Sequence, residues 1–550
     1  MTRDFAAARE YDYIVVGGGS AGCVLAHRLS DEPDVSVLLL ERGASYPRWT
    51  LGIPLLGMRF IGSHLEDLLT SPQAHAGNRR IRVQVARVMG GGSSVNAMIY
   101  VRGEPLAYDR WVEQGAPGWG YQDVLPYFRR MEDFERGEDA YHGVAGPVGV
   151  SGTRYKSRFG QAFVDACIER GLRRNYDFTG ADQAGAGFYQ YTQSNGTRSS
   201  TTSGYLRPVV GRRNLHVWAG AEAQQLVVEG HRAVGVRGVR AGKSFFVRTG
   251  REIILAAGAL GTPRLLLLSG LGPADELQAL GIRPLRDLPR VGRGLQDHPR
   301  CPVLYLPQRP VPLSGPALVA PFLQWVLTRS GLFTSTTIAA GAFLKLSPSS
   351  RLLDCQFAAK WAASPPFRGA VDLQPCLVDV ESRGSVRLAS ADPRTAVIVD
   401  PNYLSAPREV AVLVEAIRYA RELADTSAFR RFGLIRELRP GPELRSSAEL
   451  ARYVRDTIET CFHPAGTCAM GGAPGSVVDP RLRVRGVEGL RIADASVMPS
   501  LINGNTNGPT IMLAEKAADL IRSRRPQPRG GPGPASYRDA ERPGARESWR

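Results

Sequence analysis

The chain has 550 residues, 43% hydrophobic and 22% charged, which allows large buried cores and excludes wholesale disorder. Its net charge of +17 comes from Arg spread singly or in pairs. No basic stripe with interleaved aromatics occurs, so nucleic acid is excluded as a partner, and a solvated basic surface with weak attraction to anionic membranes remains.

Length alone suggests about three or four domain-sized units, a number that interleaving reduces. The seven cysteines, Cys23, Cys167, Cys301, Cys355, Cys376, Cys461 and Cys468, form no C-x-x-C pair and fit reduced thiols. The N-terminal MTRDFAAARE lacks the apolar core of a signal peptide, and no long apolar span follows. The expected compartment is the cytoplasm.

The first element is Tyr13, Ile14, Val15 and Val16, a β-branched apolar run followed by Gly17, Gly19 and Gly22 in G-x-G-x-x-G spacing. Helical spacing over 21–29 and a second apolar run over 35–40 complete a strand, phosphate turn, helix and strand. Gly17 permits the tight turn, Gly19 the approach of a pyrophosphate to backbone, and Gly22 close helix–strand packing. Ser20 and Ala21 open the helix whose N-terminus faces the phosphates. Glu41 ends the second strand, where an acid accepts hydrogen bonds from a ribose. Together these predict an adenine-dinucleotide site, although the motif cannot separate FAD from NAD.

Residues 44–85 read as loops and short irregular pieces, broken by Pro47, Pro54, Gly57, Gly62 and Pro72, that cover the cofactor. A second glycine cluster, ARVMGGGSSVNAMIYVRG (86–103), lets backbone N–H groups approach an anionic or carbonyl-bearing ligand. A helix is predicted over 159–170, and small antiparallel strands over 215–218, 225–228, 233–239 and 244–248. A buried strand over 251–256 then runs into a helix over 262–269, with Pro263 in its first turn. Beyond Cys301 the composition shifts to Pro-rich loops, with a helix over 321–329 and strands near 356, 376–379, 385–388 and 397–399. Amphipathic helices follow over 409–424 and 448–459. A strand over 490–493 and a helix over 509–522 return to the first domain, and the Pro-, Gly- and Arg-rich remainder reads as a disordered tail.

Six ordered motifs carry a family resemblance: YDYIVVGGGSAGCVLAHRLS, ARVMGGGSSVNAMIYVRG, GALGTPRLLLLSGLG, VGRGLQDHP, SRGSVRL, and FHPAGTCAMG with RIADASVMPSLINGNTNGPTIMLAEKAADLI. In these motifs the chain resembles the glucose-methanol-choline (GMC) flavoprotein oxidoreductases, alcohol- and choline-dehydrogenase-like members above all. The resemblance implies an α/β fold, α+β overall, in which a Rossmann-like FAD domain (1–150, 196–300 and 463–524) is interleaved with a substrate domain (151–195 and 301–462) built on an antiparallel sheet with helices. The tail is 525–550.

The resemblance also implies FAD, wrapped by the second cluster at Gly92, Ser93, Asn96, Ala97 and Met98. Val88, Ala223, Asp494, Ala495, Pro509 and Thr510 match further cofactor positions. Some relatives attach FAD through a His in this cluster; this chain has Val95 before Asn96, so non-covalent FAD is expected. Met89 and Ala86 replace commoner Leu and Gly, changes of packing.

Oxidising an alcohol needs a base for the hydroxyl proton, a hydride acceptor and a donor for the developing alkoxide. The resemblance makes His463 the active-site histidine and Asn507 its partner, the His/Asn version of the pair, on a helix whose positive end steadies charge on reduced flavin. His298 is expected to shape a loop at the domain junction. His27, His64, His75, His142, His216 and His231 have no supporting context. The sequence lacks H-E-x-x-H, paired Cys/His spacing and a G-x-S-x-G elbow, arguing against a metal site or a hydrolase.

The implied reaction is FAD-dependent oxidation of a primary alcohol to an aldehyde, with oxygen or a quinone-type carrier as acceptor and a dehydrogenase favoured. A lyase on the same scaffold, cleaving hydroxynitriles or photodecarboxylating fatty acids, is the alternative. Where many choline-type relatives have a Glu-containing EAGGF-like segment, residues 339–343 read AAGAF. With Phe333, Phe357 and Trp361 nearby, an apolar or aromatic alcohol is expected.

Overall fold

The computed structural model describes residues 9–45, 49–309, 315–362 and 366–522. The predicted disordered tail and Pro47 lie outside the described residues.

Ile14 and Val15 are fully buried, as a strand covered on both faces requires. Their strand, Arg9–Val16, pairs in parallel with Val37–Glu41 on one side and Lys243–Leu255 on the other, and Ser20–Leu29 makes the helical crossover. Arg232–Arg240 and Ala221–Glu229 extend the sheet antiparallel. Leu490–Ile492 pairs in parallel with the end of Lys243–Leu255, bringing the C-terminal part of the chain back to the glycine turn.

Several expectations change. Leu215–Ala219 was predicted among antiparallel strands but runs parallel to Val37–Glu41, which holds it through a continuous register. The segments predicted apart at 244–248 and 251–256 form one strand, because a register shift opposite Tyr11 and Tyr13 absorbs Gly250 as a bulge. Residues 44–85 are also more regular than expected. They hold the helix Pro54–Phe60 and a hairpin of Leu65–Leu69 with Arg82–Ala86, where Leu68, Val83 and Val85 pack against Leu260 and Val397.

A second sheet of eight strands is antiparallel throughout. At its centre Cys355–Trp361 lies between Ile338–Leu344 and Val371–Leu377. Alternate residues of a strand face opposite sides. Phe357 meets Phe163 and Tyr419, and Trp361 meets Phe159 and Phe432, so this side packs under the helices Arg158–Glu169 and Pro407–Ala424. Gln356, Ala358 and Lys360 occupy the other side.

Helix Gly258–Leu268 starts earlier than predicted, which places Pro263 in its second turn. Proline has no N–H to give the Ala259 carbonyl. The Thr467 hydroxyl, fully buried, donates to that oxygen at 2.7 Å and ties the FHPAGT segment to this helix. Thr467→Val keeps the shape and removes the donor. Urea titration of the variant is expected to show a loss of roughly 1–3 kcal/mol, the usual cost of an orphaned buried carbonyl; an unchanged midpoint would mean that the bond carries no load.

Candidate active site

The parallel strands of the first sheet end at a cavity of about 450 Å³, lined by Gly17, Gly19, Ser20, Ala21, Glu41, Gly92, Ala223, Asp494, Ala495 and Thr510. Gly17 has φ +107°, and a Cβ there would lie 2.5 Å from the Ala256 oxygen; at Gly22 it would lie 1.8 Å from the Gly17 oxygen. These two glycines make the turn and the packing possible. At Gly92 a Cβ would meet nothing within 4 Å, and at Gly19 nothing nearer than 3.9 Å, so here bare backbone faces open space. Helices beginning at Ser20, Gly258 and Asn507 turn their positive ends toward this region. The set fits an anionic pyrophosphate.

Glu41 lines the cavity and also braces the turn, accepting from the N–H groups of Gly18 (2.8 Å) and Gly43 (2.6 Å). Burial pushes its carboxyl above the ordinary value while these donors pull it back. Asp494 accepts from the Gly258 N–H (2.8 Å), the Thr262 hydroxyl (2.6 Å) and the Ser496 N–H (2.8 Å).

Several predicted cofactor residues stand behind this surface. Val88 packs with Leu51 and Val95; the Ser93 hydroxyl donates to the Gly90 oxygen; Met98 and Pro509 are buried, and Ala97 is half-buried. Asn96 accepts from Arg198 at 2.7 Å. Arg198, which the sequence did not single out, also donates to the carbonyls of Ser93 (3.1 Å) and Leu51 (3.0 Å). It clamps the second glycine cluster from behind, and burial pushes its guanidinium down to about 9. No local pattern marks an arginine whose partners lie more than a hundred residues away. Residues 393–397, of which the sequence singled out only Val397, as the start of a strand, line the cavity as well.

His463 follows Phe462, which takes a left-handed φ of +62°. Its N–H donates to Asp297 Oδ1 at 2.8 Å, and the His298 N–H donates to the same oxygen at 2.9 Å. The His463 ring then has a partner at each nitrogen: Nδ1 lies 3.0 Å from His298 Nδ1, and Nε2 lies 3.2 Å from Asn505 Nδ2. His298, expected only to shape a loop, therefore touches this ring.

Asn507 does not stand where it was expected. It begins the last helix, and its Oδ1 accepts from the Ser20 hydroxyl at 2.8 Å, at the phosphate turn. The carboxamide beside His463 belongs to Asn505, in the irregular segment just before that helix. The run Asn503-Gly504-Asn505-Thr506-Asn507 offers three amides, and only the start of the helix decides which one faces the ring.

The hydrogen bonds around the ring have a single polarity. Gln356 Nε2 donates to Asn505 Oδ1 (3.2 Å) and to the Tyr189 hydroxyl (3.1 Å), which donates to the Phe357 carbonyl (2.8 Å). Asn505 must then present its N–H to His463, leaving a lone pair on Nε2 and a proton on Nδ1 that points to His298. Burial, with the Arg300 charge adding to it, pushes His463 down to about 3, and burial pushes His298 well below its ordinary value.

The side of the second sheet that carries Gln356 is polar. Opposite Lys360 and Ala358 lie Asp372 and Gln374; Arg300 donates to Gln374 at 3.0 Å, and Lys360 lies 3.6 Å from Asp372. Phe357 and Trp361 point away into the core, and Phe333 packs on Trp325 and Ile53. Strand parity thus removes the aromatic lining expected from proximity in sequence. The Gly466 N–H donates to the Ala495 oxygen at 3.1 Å, so the segment that carries His463 runs along the rim of the dinucleotide cavity.

A dinucleotide cavity, with an imidazole and a carboxamide held on segments that adjoin it, suits an enzyme that uses a dinucleotide cofactor. GMC oxidoreductase family models match residues 11–300 and 380–514. An alcohol dehydrogenase (acceptor) of Pseudomonas putida is 37% identical over 528 residues, 93% of this chain and 95% of that one. An oxygen-dependent choline dehydrogenase of Rhizobium johnstonii is 38% identical over 546 residues, 95% and 97% of the two. Pyridoxine 4-oxidase from Mesorbium loti superposes with a TM-score of 0.86 at 30% identity, covering 94% of this chain and 100% of that structure. The chain belongs to the GMC oxidoreductase family, and it is an FAD flavoenzyme acting on CH–OH groups.

Because His463 sits below its ordinary 6.5, its free-base form persists well into acid. The NMR signals of the His463 ring are expected to stay those of a neutral imidazole from pH 8 to about pH 5 and to titrate only below that. A midpoint near 6.5 would contradict the burial of this ring.

Proposed function

We propose that the enzyme oxidises a primary alcohol to an aldehyde, with His463 Nε2 taking the hydroxyl proton and Asn505 Nδ2 hydrogen-bonding the same oxygen. The supporting observation is the pair itself, His463 Nε2 accepting from the Asn505 N–H at 3.2 Å. A substrate hydroxyl that enters between them replaces this bond, donating to Nε2 and accepting from Nδ2. Bound FAD supplies the hydride acceptor. The polar wall of Arg300, Gln374, Lys360 and Asp372 favours an alcohol whose other groups form hydrogen bonds over an aryl one. A dehydrogenase passing electrons to a quinone-type carrier is preferred to an oxidase.

Val95 packs on Leu51 and Val88 and offers no nucleophile, so FAD is held without a covalent bond and acid denaturation should release it. The seven free cysteines suit a reducing cytoplasm. Among the described residues no helix is long and apolar enough to cross a membrane. Helix Val319–Thr328 nevertheless exposes Val319, Leu323, Val326 and Leu327. Arg329 caps its C-terminal end. This face makes weak contact with anionic bilayers. Sedimentation with phosphatidylglycerol vesicles should be lost with Leu323→Glu or in high salt; equal binding to neutral vesicles would refute it.

Anaerobic mixing with a panel of primary alcohols, amino alcohols included, is expected to bleach the flavin band, which a lyase has no net need to do. His463→Ala should slow the bleaching at least about a hundredfold and Asn505→Ala roughly tenfold or more. Asn507→Ala should mainly weaken FAD retention through Ser20; if it instead slows bleaching more than Asn505→Ala does, the assignment of the amide is reversed.

A further inference from the structure

We propose that Cys376 and Cys461 form a redox-reactive dithiol beside His463, which a peroxide closes to a disulfide. Their sulfurs lie 2.7 Å apart. That is a tight contact between free thiols, against about 2.05 Å for an S–S bond. Backbone pairing makes the meeting obligatory. The short strand Pro299–Arg300 pairs with Cys376 on one side and with Glu459 and Thr460 on the other, and the Cys461 N–H donates to the His298 carbonyl at 2.8 Å. Two cysteines 85 residues apart in sequence therefore close over one strand.

The other five thiols are fully buried, whereas Cys461 is half-buried and precedes Phe462, which is 42% exposed. A small oxidant can reach it. Cys461 is the more exposed of the two sulfurs and meets the oxidant first, which leaves Cys376, buried behind it with its thiol pushed well up by that burial, to resolve.

The Cys461 thiolate attacks one oxygen of hydrogen peroxide, breaking the O–O bond; its sulfur becomes S–OH, and the departing hydroxide takes a proton to form water. The Cys376 thiol then attacks the Cys461 sulfur, the S–O bond breaks, and a second water leaves with the thiol proton. Two thiols and one peroxide give one disulfide and two waters, with two electrons passing from sulfur to peroxide oxygen. The product ties strand Val371–Leu377 to the segment that holds His463.

The test uses the full-length FAD-loaded enzyme, treated with hydrogen peroxide, alkylated and digested. Expected are a Cys376–Cys461 linked peptide, a fall of about 2 Da in intact mass, a loss of two titratable thiols, and reversal by dithiothreitol. Cys376→Ser should trap Cys461 as a sulfenic acid that dimedone labels, and a reversible rise of a few degrees in the wild-type Tm should vanish in either single Ser variant. The proposal is overturned if all seven thiols survive excess peroxide, if wild-type Cys461 goes to sulfinic acid uncrosslinked, or if the bond forms between molecules.

Discussion

Asp297 is a carboxylate with almost no access to water, and four donors converge on it: the N–H groups of His298 and His463 and the hydroxyls of Thr460 and Tyr403. A buried charge without such partners costs several kcal/mol; burial pushes this carboxyl above its ordinary value and the four donors pull it back, so the acid and the segments that carry the donors hold one another in place. Two of them share Oδ1, which sets the backbones of the two histidines side by side and turns their rings edge to face, with centroids 5.2 Å apart. The left-handed turn at Phe462 delivers the second of these donors. The imidazole inherits its place from a backbone held by one acid.

Position alone does not fix the tautomer; the partners of the two ring nitrogens must do that. The chain of donors from Gln356 through Asn505 makes Nε2 the acceptor, and Gln356 is available because of what its neighbours bury. Removing Phe357 and Trp361 from water stabilises the fold by roughly 1.5–3 kcal/mol each. A one-residue slip of the strand would expose them and turn Gln356 inward. Hydrophobic burial on one side of the sheet thus decides which polar groups the other side offers.

The two halves of the site are joined by short hydrogen bonds that cross the molecule. Thr467 reaches the carbonyl that Pro263 leaves free, Gly466 reaches Ala495, and Asn507 reaches Ser20 at the first glycine turn. Each bond runs from the last quarter of the chain to the rim of the dinucleotide cavity or to its supporting helix, so the nucleotide grip and the segment that carries the imidazole are tied together.

The glycine turn, its flanking strands and most of the helices were legible in the sequence, because each rests on local chemistry: apolar periodicity, a glycine that a turn requires, a motif in a fixed order. The direction of Leu215–Ala219, the merging of Lys243–Leu255 around a bulge, and the hairpin within 44–85 were not, since pairing partners and register come from distant segments. The same holds for Arg198, for Asn505 in place of Asn507, and for the outward turn of Phe357 and Trp361. Sequence names the residues near a site within its own segment, but which way a side chain points is fixed by where a helix begins and which face of a strand is buried, and those are settled only when the whole chain packs.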